Sequence, residues 1–168
     1  GVHGRELWKT DGTTAGTVLV ATSPDGVVTV DVSDPTDPIQ VSCTPLGGYG
    51  SGIAVLGDVA FVSVNSSAAT PTWTGELRVF DLTDETAPVE LGSIGLWGPA
   101  SRLSVDGNLL FVRVVGRGLL VVDVSDPRMA QPVGLARVEA RGVGAEGRLF
   151  AASGFQGLDV FDTASCFA

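Results

Sequence analysis

GLLVVDVSDPRMAQPVGL, residues 118–135, is an apolar run from Leu119 to Val122, an acidic turn at Asp123 to Pro127, and a second apolar stretch. The chain repeats this pattern as GVVTVDVSDPTDPIQV from Gly26, GELRVFDLTDETAPVEL from Gly75 and, cut short, GLDVFDTASCFA from Gly157. A second segment precedes each copy: GTVLVAT from Gly16, GDVAFVSV from Gly57, GNLLFVRVV from Gly107 and GRLFAAS from Gly147. Upstream of three of these lies a third segment, SGIAVLG from Ser51, SRLSVDG from Ser101 and GVGAEG from Gly142. The glycines opening the second segment are separated by 41, 50 and 40 residues. Order, spacing and residue type recur together, which marks a repeat architecture.

Each unit reads as four short strands, named a to d. In the second unit these are a (Ile53 to Leu56), b (Val59 to Val64), c (Leu77 to Leu82) and d (Val89 to Ile94). They are rich in Val, Leu, Ile and Phe and bounded by Gly, Asp or Pro. A run such as LLVVDV, apolar on successive residues, predicts a strand covered on both faces. Four-stranded sheets repeating at about forty residues predict propeller blades. The fold class read from the sequence is therefore all-β, a β-propeller of four-stranded antiparallel blades. The units run about 5–46, 52–95, 102–138 and 142–168, within one domain over 1–168, and the last lacks its outer strand. A ring must close to cover its end blades, so about four blades read as a fragment of a ring of roughly six to eight. A closed four-bladed ring is the alternative.

The phrases VVDVSDPxxxxPVG, AVxGxxAFV and GGYGSGIAV resemble the LVIVD repeat, a propeller repeat of bacterial and archaeal cell-surface proteins, over about residues 16–162. The first unit departs from that pattern: GRELWKTDGTTAGTVLV, from Gly4 to Val20, is more similar to the ELWxxDGTxxGT repeats of large secreted bacterial proteins. Both resemblances imply an exported, extracellular or cell-surface protein without an assigned activity.

Composition excludes several partners. Hydrophobic residues make up 44% and charged residues 17%, enough apolar surface to build a core. Net charge is −9, and ten Lys and Arg are scattered among nineteen Asp and Glu with no basic run. That argues against nucleic acid and an anionic membrane surface. No apolar run approaches the roughly 20 residues needed for membrane insertion. The chain begins at Gly1 with no signal segment and reads as a mature piece or fragment. Cys43 and Cys166 fit either one disulfide or two free thiols.

The recurring carboxylates, Asp31 and Asp34, Asp81 and Asp84, Asp123 and Asp126, look site-like. Their repetition in successive units favours a structural turn, with Asp and Ser accepting backbone N–H bonds and Pro35 or Pro127 fixing φ. Calcium is the rival for Asp31, Asp34 and Asp37, but no Asp-x-Asp-x-Asp-Gly loop is present, so no cofactor is expected. His3 is the single histidine, and no Gly-x-Ser-x-Gly elbow accompanies Ser66 and Ser67. LGGYGSG precedes a strand rather than the helix that a nucleotide loop opens. Asn65-Ser66-Ser67 matches a glycosylation sequon and is read as chance. No catalytic apparatus is legible.

One feature escapes the repeat: Asn65 to Thr74, NSSAATPTWT, adds eight or nine residues between strands b and c of the second unit. In an antiparallel blade the b–c and d–a loops share one rim. That rim is expected to collect Trp73 from the insertion, Tyr49 and Trp97 from d–a loops, and Arg117, Phe155 and Gln156 from b–c loops. Aromatics on loops of a rigid scaffold carry binding or merely cap blade ends. The leading expectation is a non-catalytic binding scaffold that meets a protein or glycan partner through this rim. Its rivals are an enzyme with a channel-centred site completed by further blades, and a purely structural surface repeat.

Overall fold

The computed structural model describes residues 6–10, 17–23, 25–66, 74–138, 142–145, 149–152 and 158–161. Strands β1 (Glu6–Thr10), β2 (Thr17–Thr22), β3 (Val27–Asp31) and β4 (Ile39–Thr44) form the first sheet in sequence order. The second holds β5 (Tyr49–Leu56), β6 (Val59–Asn65), β7 (Gly75–Asp81) and β8 (Val89–Leu96). The third holds β9 (Ala100–Asp106), β10 (Leu109–Val114), β11 (Gly118–Asp123) and β12 (Gln131–Ala136). The fourth comprises β13 (Gly142–Ala145), β14 (Leu149–Ala152) and β15 (Leu158–Phe161). Every neighbouring pair is antiparallel, and strands b and c pair within their own sheet in all four, as the repeat spacing predicts. The departing first segment supplies β1 and β2 and so folds as an ordinary a–b hairpin.

The apolar runs explain how the sheets stack. On β6, Ala60, Val62 and Val64 join Val20, Val27 and Leu46 in a core between the first and second sheets. The alternate residue Phe61 turns the other way, into a core with Leu103, Leu110 and Val112 of the third sheet. On β10, Leu109 and Phe111 open a third cluster with Leu119 and Val121 on the far face. The second and third sheets thus bury both faces, which is why their central strands lack polar alternation. The a strands pack successively: β1 on β5, β5 on β9, β9 on β13. A Cβ on Gly52 would lie 2.6 Å from Leu103 Cδ1 and from the Ser101 carbonyl oxygen, so only glycine lets β5 and β9 approach this closely. These are successive blades of a β-propeller.

The glycine that opens strand c in the first three blades has a recurring cause. A Cβ at Gly26, Gly75 or Gly118 would meet the carbonyl oxygen of Thr44, Gly98 or Ala136 at 2.1, 2.4 or 2.2 Å. The chain leaving strand d lies directly against that backbone. Register slips between c and d at the same repeat position in three blades, at Thr29/Val30, Val79/Phe80 and Val121/Val122. Such a bulge bends the outer strand, and Pro132 is tolerated there because β12 is an edge.

All four strands of the second blade are longer than the sequence predicts. Strand a of the second blade begins at Tyr49 rather than Ile53, since a bulge between Gly50 and Gly52 lets pairing continue to Tyr49↔Asn65. Tyr49 is therefore a strand-end residue, not a loop residue. Asn65 closes β6 and ties two blades together: its Nδ2 donates to the Ala100 carbonyl at 2.8 Å and to Ser51 Oγ at 3.0 Å. Its Oδ1 accepts from the Ala100 N–H at 2.9 Å. Ser51 Oγ also donates to the Ala100 carbonyl, at 2.6 Å. One amide thus satisfies both backbone groups of the first residue of the next blade.

Candidate functional site

The acidic phrases build a double turn. Asp31 Oδ1 accepts from the Ser33 N–H at 2.8 Å, and Asp34 Oδ1 from the Thr36 N–H at 2.9 Å and its hydroxyl at 2.7 Å. Asp81 and Asp84 do the same with Thr83 and Thr86, and Asp123 and Asp126 accept from the Ser125 and Arg128 N–H groups. The Asp37, Ala87 and Met129 N–H groups then donate to the carbonyls of Asp34, Asp84 and Asp126, with Pro35 and Pro127 at the second turn position. Among the described residues no three His, Cys, Asp or Glu side chains gather as metal ligands. The turns also reach the preceding blade: the Glu85 carbonyl accepts from the buried Thr29 hydroxyl at 2.6 Å, and the short 3-10 turn Pro127–Met129 packs on β8.

These bonds favour the ionised carboxylate. The Thr36 hydroxyl and amide hold Asp34 below the usual carboxylate range, and Thr86 does the same for Asp84. The Ser33 and Ser125 amides, then their hydroxyls, lower Asp31 and Asp123. A lowered folded pKa means the stabilisation is present above the unfolded value, about 3.9, and is lost as pH falls through the folded value. The melting temperature is accordingly expected to decline as pH drops below about 4, and Asp34→Ala to lower it at pH 7 while flattening that acid limb. Scanning fluorimetry from neutral to acidic pH checks this. EDTA should leave the melting temperature unchanged; a large drop would assign the carboxylates to calcium instead.

The opposite end of the blades carries the expected rim. Tyr49 is 56% and Trp97 58% exposed, and Arg117 is exposed on the β10–β11 turn. The Val115 N–H donates to the Pro99 carbonyl at 2.7 Å, fastening that turn to the Trp97–Pro99 connection. The insertion hangs from a closed neck, with the Ser66 N–H donating to the Thr74 carbonyl at 2.9 Å and the Thr74 N–H to Ser66 Oγ at 3.1 Å. Trp73, Phe155 and Gln156 lie outside the described residues, as does Cys166; Cys43 is an exposed free thiol.

Among the described residues, a smaller and a larger concavity open on this rim. The smaller, about 180 Å³, lies between Leu46–Gly48 and the neck of the insertion. Its arginine, Arg78, is neutralised by Glu76 at 3.0 Å and Glu90 at 3.6 Å. The larger, about 440 Å³, is lined by Arg113, Arg117 and Arg137 together with Gly116, Leu135 and Val138. Among the described residues no carboxylate pairs with these three arginines. Arg113 is half-buried, and its guanidinium donates to Ser101 Oγ at 2.8 Å. Of the three, sequence reasoning singled out only Arg117. Arg113 lies on β10 and Arg137 on the chain leaving β12, and nothing in their local sequence marks them as neighbours.

The LVIVD repeat model matches residues 18–43 and 97–132, which fall in the first blade and from the Trp97 connection into β12 of the third. No curated protein matches the chain significantly. Among solved structures, it resembles Mala s 1, the major allergen of Malassezia sympodialis, with a TM-score of 0.68 at 12% identity over 95% of this chain and 60% of that one. A chain of the mitotic checkpoint complex gives a TM-score of 0.65 at 13% identity, over 95% and 48%. The computationally designed Ika8 protein gives 0.62 at 9% identity, over 86% and 42%. The chain thus spans about half the length of these structures, and at such identities the likeness is one of fold alone.

Proposed function

From a chain that carries LVIVD repeats and folds into successive β-propeller blades, we propose a non-catalytic binding module of an exported or cell-surface bacterial protein. It meets a protein or glycan partner with the rim where the b–c and d–a connections lie, and it needs no cofactor. The observation that carries this reading is the exposure of Tyr49 at 56% and Trp97 at 58%, with Val115 also exposed on the same rim, while Leu46 and Leu96 beside them are buried. A ring with one apolar face left wet, held on a rigid sheet, is the usual anchor of an interface. The opposite end has its recurring carboxylates committed to their own turns, which supports a structural role there.

The test is a pair of measurements on the parent, Trp97→Ala and Tyr49→Ala. An oligosaccharide array and a panel of purified cell-surface proteins read binding, and thermal melting reads stability. The expected result is a loss of captured partner of about tenfold or more at nearly constant melting temperature. Equal binding by both variants, or no binding by the parent on either panel, removes the rim from consideration. A large fall in melting temperature would make these rings caps of the blade ends.

A further inference from the structure

The geometry points to an oxyanion-binding pocket on the third blade, formed by Arg113, Arg117 and Arg137. This rests on the rim reading above and names the chemistry one part of the rim would recognise. The comparison of blades is what singles it out. In the second blade the end of strand b carries Ser63, fully buried, and Asn65, whose amide clasps Ala100 of the next blade. Aligning the repeats puts Arg113 in place of Ser63 and Val115 in place of Asn65. Val115 has no group with which to repeat the clasp and is 46% exposed. Where neutral hydrogen bonds leave the second blade a concavity of about 180 Å³, the third opens one of about 440 Å³.

The bulge serines make the same substitution of roles. Register slips past Ser51 in strand a of the second blade and past Ser101 in the third. Ser51 Oγ bonds forward to Ala100, whereas Ser101 Oγ accepts from Arg113 and so fixes its guanidinium at the cavity wall. Arg117 arrives on the β10–β11 turn and Arg137 on the chain leaving β12. Three of the chain's ten Lys and Arg therefore line one cavity in a protein of net charge −9. Arg78, in the other cavity, shows the ordinary alternative, a cation answered by two nearby glutamates.

Guanidinium groups bind carboxylate, phosphate and sulfate through paired N–H donors. Among the described residues no carboxylate answers the three on this cavity, so an entering anion relieves their mutual repulsion. The volume suits a small group or a single sugar ring. Distant carboxylates are screened over roughly 8 Å at physiological salt, so the overall negative charge does not cancel the local attraction. The ligand class is an oxyanion presented on a small molecule or on a chain end: the carboxylate of an acidic sugar, or a phosphate or sulfate group.

Calorimetric titration with sodium glucuronate, inorganic phosphate and inorganic sulfate, at low and at physiological salt, tests this on the whole chain. The variants are Arg117→Ala and Arg137→Ala, both at exposed positions, with Arg78→Ala as the control. The expected result is saturable binding of at least one probe, weakened about tenfold or more by either variant and unchanged by the control. Binding of glucuronate alone identifies a carboxylated sugar as the source; binding of the inorganic anions alone identifies a phosphate or sulfate group. No saturable binding of any probe, or binding that both variants leave intact, overturns the pocket. If Trp97→Ala abolishes partner capture while the arginine variants bind normally, the rim reading stands and the pocket falls. If the anions require the arginines while Trp97→Ala changes nothing, the reverse holds.

Discussion

Gly118→Ala is expected to destabilise the protein by about 3 kcal/mol or more, although it adds a single methyl group. Gly118 has φ +121°, a region L side chains rarely adopt, and its added Cβ would lie 2.2 Å from the Ala136 carbonyl oxygen and 3.1 Å from the Arg137 Cα. Both obstacles are backbone, so no rotamer change relieves them. The chain leaving β12 would have to move away from β11, breaking the Leu119↔Ala136 pairing that closes the outer strand. Gly95→Ala is the matched control, because a Cβ there meets nothing within 4 Å. Urea unfolding of the two variants and the parent checks the contrast. Equal stability of Gly118→Ala and Gly95→Ala would show that the outer strand yields at little cost, and the recurring glycine would then need another explanation.

Phe80→Ala is expected to cost about 3–5 kcal/mol, the range for emptying an aromatic site in a core. Phe80 is fully buried and belongs to the cluster that joins Val20, Val27 and Leu46 of the first blade to Ile53, Val62 and Leu82 of the second. The cavity would open between two sheets rather than within one, so its effect should be shared. Amide hydrogen exchange is expected to quicken in β3 as well as in β6 and β7. Quickening confined to the second blade would mean that the blades are stabilised independently. Ile39→Ala, at a position 57% exposed, should change stability little.

The blade pattern was legible because it is local and repeated. An apolar run such as Leu119–Val122 can be buried only in a strand covered on both faces, and the recurrence of Asp-x-Ser-Asp-Pro fixes where that strand turns. The acidic turns were readable for the same reason: each carboxylate bonds to the N–H two residues on, a partner that chain order alone supplies. Tyr49 was misplaced by a few residues because the bulge at Ser51 depends on pairing with β6, which no local pattern records. Asn65 was passed over as the edge of an insertion and a chance sequon, since its partner Ala100 is thirty-five residues away and belongs to another blade.

Strand identity, blade order and the chemistry of the turns were therefore determined by the sequence itself, through contacts between residues close in the chain and through their repetition. The clasp between blades and the gathering of Arg113, Arg117 and Arg137 were decided only by tertiary structure. Scattered along the sequence, those arginines are diluted among nineteen acidic residues and signal nothing. Antiparallel pairing brings the end of β10, the turn after it and the end of β12 to one rim, and the 24 residues that separate Arg113 from Arg137 in sequence collapse into one cavity. Electrostatic character follows distance in space, and here the sheet sets that distance.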